Sequence, residues 1–374
     1  MVKQKVRFIS FYLPQYHPIP ENDRWWGKGF TEWRNVTQAK PRFLGHYQPH
    51  LPRDLGFYDL RLAETRQAQA DLARSYGIGG FCYYHYWFNG KRLLERPFQA
   101  VLASGQPDFP FCLCWANENW TRRWDGKGQD VLLQQNYGEA DDRAHIQSLL
   151  PAFQDPRYIC IDGKPLFLVY RANHLPHPCH TTTLWRQEAQ QAGIGDLFLG
   201  RVESTGDEQT DPRELGFDGA IEFQPDWANL GPDLRQGRGW RGLRKLGLSS
   251  PAYGENRIFD YGTIVDRQLN KPQPDYLRFP CVTPAWDNTA RRPQGKALIF
   301  KGSTPELYEK WLKGACQRVL HQAEKNQAGE NRENQEQIVF INAWNEWAEG
   351  NHLEPCQKWG HGYLAATKRV WEKR

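Results

Sequence analysis

Eight short apolar runs alternate with amphipathic or turn-rich stretches, and that alternation limits the fold more than any other feature of the chain. The runs cover 6–12, 79–84, 109–114, 166–170, 197–202, 219–223, 279–284 and 338–343. They are rich in β-branched and aromatic residues and lack a strict polar alternation. That is the pattern of strands buried on both faces of a parallel sheet. Helical patterns fill the gaps at 59–76, 139–150, 183–192 and 305–323, and a last one covers 363–371. Gly77 ends the first as a C-cap, and Thr304 before Pro305 reads as an N-cap with proline in the first turn. Strand and helix alternating eight times predict an α/β chain folded as a (β/α)8 TIM-type barrel with long βα loops. A doubly wound sheet is the competing architecture. Against it, the first strand leads into LPQYHPIPEN with no G-x-G-x-x-G turn, and no Walker A pattern occurs.

A barrel of this kind takes roughly 250 residues, and the chain has 374. The surplus falls after strands: 25–54 follows the first, 116–138 the third and 225–274 the sixth. The expectation is one catalytic domain over 1–374, with 225–274 as a loop insertion.

Composition narrows the function. Lys and Arg number 48 against 43 Asp and Glu, a net charge of +5, too weak to argue for nucleic acid. No apolar run approaches the roughly 18 residues of a membrane span. The amino terminus has basic residues but no long apolar stretch and no small-residue cleavage site, so a secretory leader is not expected. Cys82, Cys112, Cys114, Cys160 and Cys281 sit in apolar runs and read as buried free thiols of a cytoplasmic protein. Cys112 and Cys114 lack zinc-ligand spacing, and His174, His177 and His180 share a proline-rich loop with no helical pairing. No metal or cofactor is expected. Aromatic residues make up 14% of the chain, with 16 Trp against one Met. Buried indoles need hydrogen-bond partners, so such an excess points to flat apolar ligands, of which sugars are one class.

Four segments at predicted strand exits could carry chemistry. In 338–355, IVFINAWNEWAEGNHLEP, a strand leads into Trp344, Asn345, Glu346 and Trp347, with Glu349 three residues after Glu346. Apolar walls and a neighbouring carboxylate both raise a carboxyl's pKa. Such a pair suits glycoside cleavage, which needs one acid protonated and one ionised. The spacing also occurs on solvated helix faces; the flanking tryptophans, the strand exit and Gly350 favour a site. After the third strand, Trp115, Asn117, Glu118 and Asn119 offer donors and acceptors for hydroxyls, or form a plain turn. After the second, Tyr84, His85 and Trp87 could stack against a sugar or simply fill the barrel mouth. After the first come Tyr12, Gln15 and His17, then Glu32 and Trp33. Looser candidates are Arg171, Glu203, Glu222 with Gln224, and Trp286 with Asp287. Of these, Tyr12, Gln15, His17, Trp33, Tyr84, His85, Trp87, Trp115, Asn117, Glu118, Asn119, Glu222, Trp286, Trp344, Asn345 and Trp347 would bind an oligo- or polysaccharide. The run 231–249 carries four Arg and one Lys against one Asp. It reads as a solvated loop, or, through 235–245, as a contact to an anionic glycan, a lipid-linked phosphate or a membrane surface.

The segments FYLPQYHPIPENDRWWGKGFTEW, GGFCYYHYWFNGKRLLE, WANENWTRRWDG and INAWNEWAEGNHLEP resemble WbsX-type proteins over most of the chain. These are grouped with glycoside hydrolase family 99, the endo-α-mannosidase-like (β/α)8 barrels. The resemblance implies a retaining mechanism through the substrate's own 2-hydroxyl. Glu346 would assist that hydroxyl and Glu349 would act as acid and base. WbsX-type proteins also resemble products of surface-polysaccharide loci, which implies a glycosyltransferase or transglycosylase of O-antigen type as an alternative. The chain carries neither a nucleotide fingerprint nor a D-x-D motif for that role. A non-catalytic glycan-binding barrel is the third reading.

Overall fold

A computed structural model describes residues 6–122, 127–204, 210–236, 242, 245–246, 254–327 and 336–373. All eight expected strands are present in one parallel sheet: β1 (Arg7–Tyr12), β2 (Ile78–Phe88), β3 (Phe111–Trp115), β4 (Lys164–Val169), β5 (Phe198–Glu203), β6 (Gly219–Glu222), the split stave β7 (Arg278–Phe279) and β8 (Cys281–Val282), and β9 (Ile338–Ile341). β1 sits between β2 and β9, with Ile9 opposite Gly80 and Phe340. β7 pairs with β6 and β8 pairs with β9. One stave therefore joins both open edges and closes the barrel. Its break falls at Pro280, which has no N–H to give the ladder but accepts from Phe340 N at 2.9 Å.

Side chains pointing along the barrel axis form an aromatic core. Phe11 meets Phe340 at 5.6 Å and Phe223 at 5.3 Å between ring centroids. The expected helices form at Ala63–Ser75, Glu139–Phe153, Pro178–Gln191, Pro305–Gln327 and Gly362–Glu372. Thr304 Oγ1 accepts from Leu307 N at 3.3 Å, as an N-cap should. Among the described residues, no helix is long and apolar enough to cross a membrane.

The stretch 225–274 is more than a loop. Arg257–Asp260 forms a strand in parallel register with Leu298–Lys301. Helix Tyr261–Leu269 follows, capped by Asp260 and burying Tyr261, Ile264 and Val265. Within the basic run, Arg235 is paired with Asp233, and residues 237–241, 243–244 and 247–249 lie outside the described residues.

The βα loops build the mouth. After β1 come helices Pro20–Trp26 and Glu32–Gln38; after β3, the hairpin of Trp120–Arg122 with Lys127–Leu133; after β8, the 3-10 turn Asn288–Arg291. After β9, Asn345–Glu346 pairs antiparallel with Asn351–His352 around the 3-10 turn Trp347–Glu349.

Candidate active site

Asn345 ties the loop after β9 to the loop after β1. Its amide accepts from Leu13 N at 2.7 Å and donates to Leu13 O at 3.0 Å. Tyr16 Oη donates to Asn345 O at 2.5 Å and accepts from Trp347 N at 3.2 Å. A second bracket lies behind it. The buried Glu354 carboxylate accepts from Trp347 Nε1 at 2.6 Å, Tyr58 Oη at 2.8 Å and Gln69 Nε2 at 2.6 Å. Gln69 Oε1 in turn accepts from Tyr12 Oη at 2.6 Å. The backbone on both sides of Glu346 is therefore fixed before any ligand arrives. Glu349 sits at the end of the same 3-10 turn, and its carbonyl accepts from Asp287 N at 2.6 Å. Gly350 follows with φ 58°, where a Cβ would stand 3.0–3.2 Å from Asp287 atoms.

Arg291 stands among three carboxylates. It donates from Nη2 to Glu346 Oε2 at 2.9 Å and to Glu32 Oε2 at 3.0 Å, and from Nε to Glu32 Oε1 at 3.0 Å. Its Nη1 is 2.9 Å from Glu349 Oε1. The two carboxyls are thus held on the two Nη atoms of one guanidinium.

Burial pushes Glu346 up to about 8, with repulsion from Glu349 and Glu32 adding to the shift and Arg291 opposing it. Burial also raises Glu349, again against Arg291. Burial works against the Arg291 charge too, but the three carboxylates hold it protonated. One cation cannot balance three carboxylates so close together, so Glu346 and Glu349 keep a proton between them near neutral pH.

The pair opens into a cleft of about 570 Å³ at the C-terminal mouth of the barrel. Of the residues singled out from sequence, Gln15, Tyr84, Glu118, Asn119, Arg171, Trp286, Glu346 and Glu349 line it. The others were expected at the mouth, and the structure places them behind it. Tyr12 faces Gln69, and Trp33 Nε1 donates to Tyr58 O at 2.8 Å. His17 Nδ1 is 3.0 Å from Pro14 O. His85 pairs with His145 at 3.0 Å, Trp87 Nε1 donates to Asp141, and Trp115 Nε1 donates to Trp87 O. Glu222 is bound to Lys271 at 2.8 Å. Trp344 is fully buried against Phe81. Asn345 and Trp347 serve the brackets described above. Asn117 is buried and holds Arg171 through both backbone N and O, at 2.7 and 2.9 Å. Arg171 in turn pairs with Glu118 at 2.9 Å on the cleft wall.

Sequence reasoning missed Arg291, and it noted Glu32 without giving it a role. Asp287 was noted at the strand exit. It caps the turn that delivers Arg291 by accepting from Thr289 N at 3.0 Å, so a cap four residues upstream was the available signal. Tyr86, Tyr170 and Phe223 also line the cleft.

A (β/α)8 barrel with a carboxylate pair, one member buried and one half-buried, at its C-terminal mouth has the site position of a barrel enzyme. The chain matches the model of the family described as glycosyltransferase WbsX over residues 8–367, and it belongs to that family. Two curated relatives, both called uncharacterized protein WxcX, come from Xanthomonas campestris pv. campestris strains B100 and ATCC 33913. Each is 44% identical over 362 residues, which is 97% of this chain and 49% of the relative. The chain thus spans about half the length of these relatives. Its fold is similar to that of the GH99 endo-alpha-mannosidase from Bacteroides thetaiotaomicron in complex with bis-tris-propane. That match has a TM-score of 0.57 and 15% identity, covering 98% of this chain and 97% of that one. A glycoside hydrolase-like protein matches with the same score and identity, covering 99% and 95%.

Proposed function

We propose that the chain is a carbohydrate-active enzyme, and more narrowly a retaining, endo-acting glycoside hydrolase on a mannose-containing or bacterial surface polysaccharide. The observation that carries this is the Glu346–Glu349 pair held on one guanidinium at the floor of an aromatic-walled cleft.

The pair's shared proton fits the chemistry. A glycosidic oxygen can only accept, whereas a sugar 2-hydroxyl can donate. With the 2-hydroxyl on Glu346 and the glycosidic oxygen on Glu349, the bound substrate draws the proton to Glu349. The Glu346 carboxylate then takes the hydroxyl proton as the 2-oxygen attacks the anomeric carbon. The glycosidic C–O bond breaks, and the leaving oxygen takes the proton from Glu349. Water, deprotonated by Glu349, attacks the anomeric carbon of the resulting 1,2-anhydro sugar with retention, and as the C1–O2 bond breaks the 2-oxygen recovers its proton from Glu346. Tyr84, Tyr86 and Trp286 supply faces for sugar rings.

The family description favours a second reading, transfer in surface-polysaccharide synthesis. There an acceptor hydroxyl replaces water on the same carboxylates. The test is to incubate wild type and Glu349→Gln with mannans and bacterial surface polysaccharides and to read product masses. Shortened products from wild type alone support hydrolysis, and lengthened ones support transfer. Glycan binding by both proteins with no product from either would leave a binding barrel and overturn the enzyme reading.

A further inference from the structure

Beyond the carboxylates, basic side chains contribute much of the cleft lining. Arg171, Arg257, Arg291, Arg292 and Lys296 belong to it, alongside the acidic Glu118, Glu346 and Glu349. Arg171 and Arg291 are paired with those carboxylates. Arg257 and Lys296 make no ion pair among the described residues, and both are exposed. They are neighbours by strand register: Arg257 lies opposite Leu298, and its N–H donates to Ala297 O at 2.9 Å. Lys296 is held in a turn by its N–H to Pro293 O at 3.2 Å. Arg292 follows Arg291 directly and acts electrostatically on Glu349. Arg257, Arg292 and Lys296 therefore add positive charge to the cleft that holds the carboxylate pair. Trp227, 39% exposed, and Trp286 also line it, their rings 5.5 Å apart and edge to face. Glu255 packs next to Gly295, outside the cleft wall.

We infer that this basic lining recognises an anionic group on the sugar ligand, with the ring against Trp227 and Trp286 and the anion between Arg257, Arg292 and Lys296. The inference rests on the carbohydrate reading above. A neutral glycan covering Arg257 and Lys296 would strip their water and offer hydroxyl acceptors but no countercharge. An anion satisfies them, and the cleft's low-dielectric walls strengthen the attraction. Two sources share that chemistry: a uronate carboxylate within a glycan, and the diphosphate of an activated sugar donor.

The test is calorimetric binding in a Glu349→Gln background, so that nothing is turned over. The probes are uronate-containing oligosaccharides, the same oligosaccharides after carboxyl reduction, and nucleotide-diphosphate sugars. The proteins compared differ at Arg257→Gln with Lys296→Gln. Both side chains are exposed, so the double variant should fold normally. The acidic probe should bind about tenfold more tightly than its reduced form, a difference the double variant removes, as the loss of a charge-assisted contact would. If only the nucleotide sugars lose affinity in the double variant, the anion is the diphosphate. Equal affinity for acidic and reduced glycans, with nucleotide-sugar affinity unchanged by the double variant, overturns the inference and leaves the carbohydrate reading standing. No binding of any probe overturns both.

Discussion

The Arg291 guanidinium bonds the Glu346 carboxylate at 2.9 Å while also holding Glu32 and Glu349. Replacing it with methionine leaves three carboxylates, two of them buried, without this cation. Removing one partner of a buried ion pair costs about 3–5 kcal/mol. The loss should be largest at high pH and shrink as the solution is acidified, because protonated carboxyls do not need the cation. Arg291→Lys keeps the charge but not the planar fork, and should recover only part of the stability. Chemical denaturation of both variants at pH 5 and pH 8 checks this. An Arg291→Met deficit independent of pH would contradict the charge argument.

Glu346 itself should make the protein less stable as pH rises. Its folded value of about 8 lies above its ordinary 4.5, so the native state binds the extra proton between those limits. Stability therefore falls from about pH 4.5 to about pH 8. Glu346→Gln mimics the neutral acid. It should match wild type at the acidic end and exceed it at pH 8, on the order of 2 kcal/mol. Arg291 keeps Glu32 and Glu349 in the variant. Denaturation curves across that range decide it; a variant advantage that grows towards acid would reverse the sign.

The strands were legible because burial on both faces writes continuous apolar runs. The carboxylate pair was legible because two glutamates follow a strand exit directly. The aromatic wall was not, for a reason of parity. Successive strand residues point to opposite faces, so a run such as Tyr83-Tyr84-His85-Tyr86-Trp87 is split between two environments. Tyr84 and Tyr86 line the cleft. Tyr83 meets Phe98, His85 meets His145, and Trp87 meets Asp141. The same rule separates Phe11, on the barrel axis, from Tyr12, which faces Gln69. Composition locates such a cluster, but only the register says which half faces the ligand. Arg291 was hidden differently: it arrives from a single 3-10 turn, where neither strand nor helix periodicity gives a face.

Glu354 tests whether the bracket behind the loop positions the site. It accepts from three donors and touches no cleft surface. Gln at this position can be accommodated. Its oxygen keeps Trp347 and Tyr58, its amide turns to Gln69, the Gln69 amide flips, and the Tyr12 hydroxyl rotates to accept. Leucine cannot, and it leaves buried donors at about 1–3 kcal/mol each. Glu354→Gln should therefore fold within about 1 kcal/mol of wild type, and Glu354→Leu should lose about 3 kcal/mol or more. Thermal melts of the two check the ranking. Equal losses would mean that charge, not hydrogen-bond geometry, holds the loop.

The roles proposed for the two carboxyls separate when the leaving group is varied. An acid is needed only where the departing oxygen is basic, and general acid catalysis supplies about 10²–10⁴-fold. With a natural glycan, Glu349→Gln and Glu346→Gln should each lose that much or more. With an aryl glycoside whose phenol is already acidic, the first step no longer needs Glu349. The Glu349→Gln variant should then release phenol in a rapid burst and stall at the water step, where Glu349 must act as base. Glu346→Gln should show no burst with either substrate, since nothing else takes the 2-hydroxyl proton. Stopped-flow detection of the phenol measures this directly. A burst from Glu346→Gln and none from Glu349→Gln would exchange the roles and put the acid on the carboxyl that Arg291 shares with Glu32.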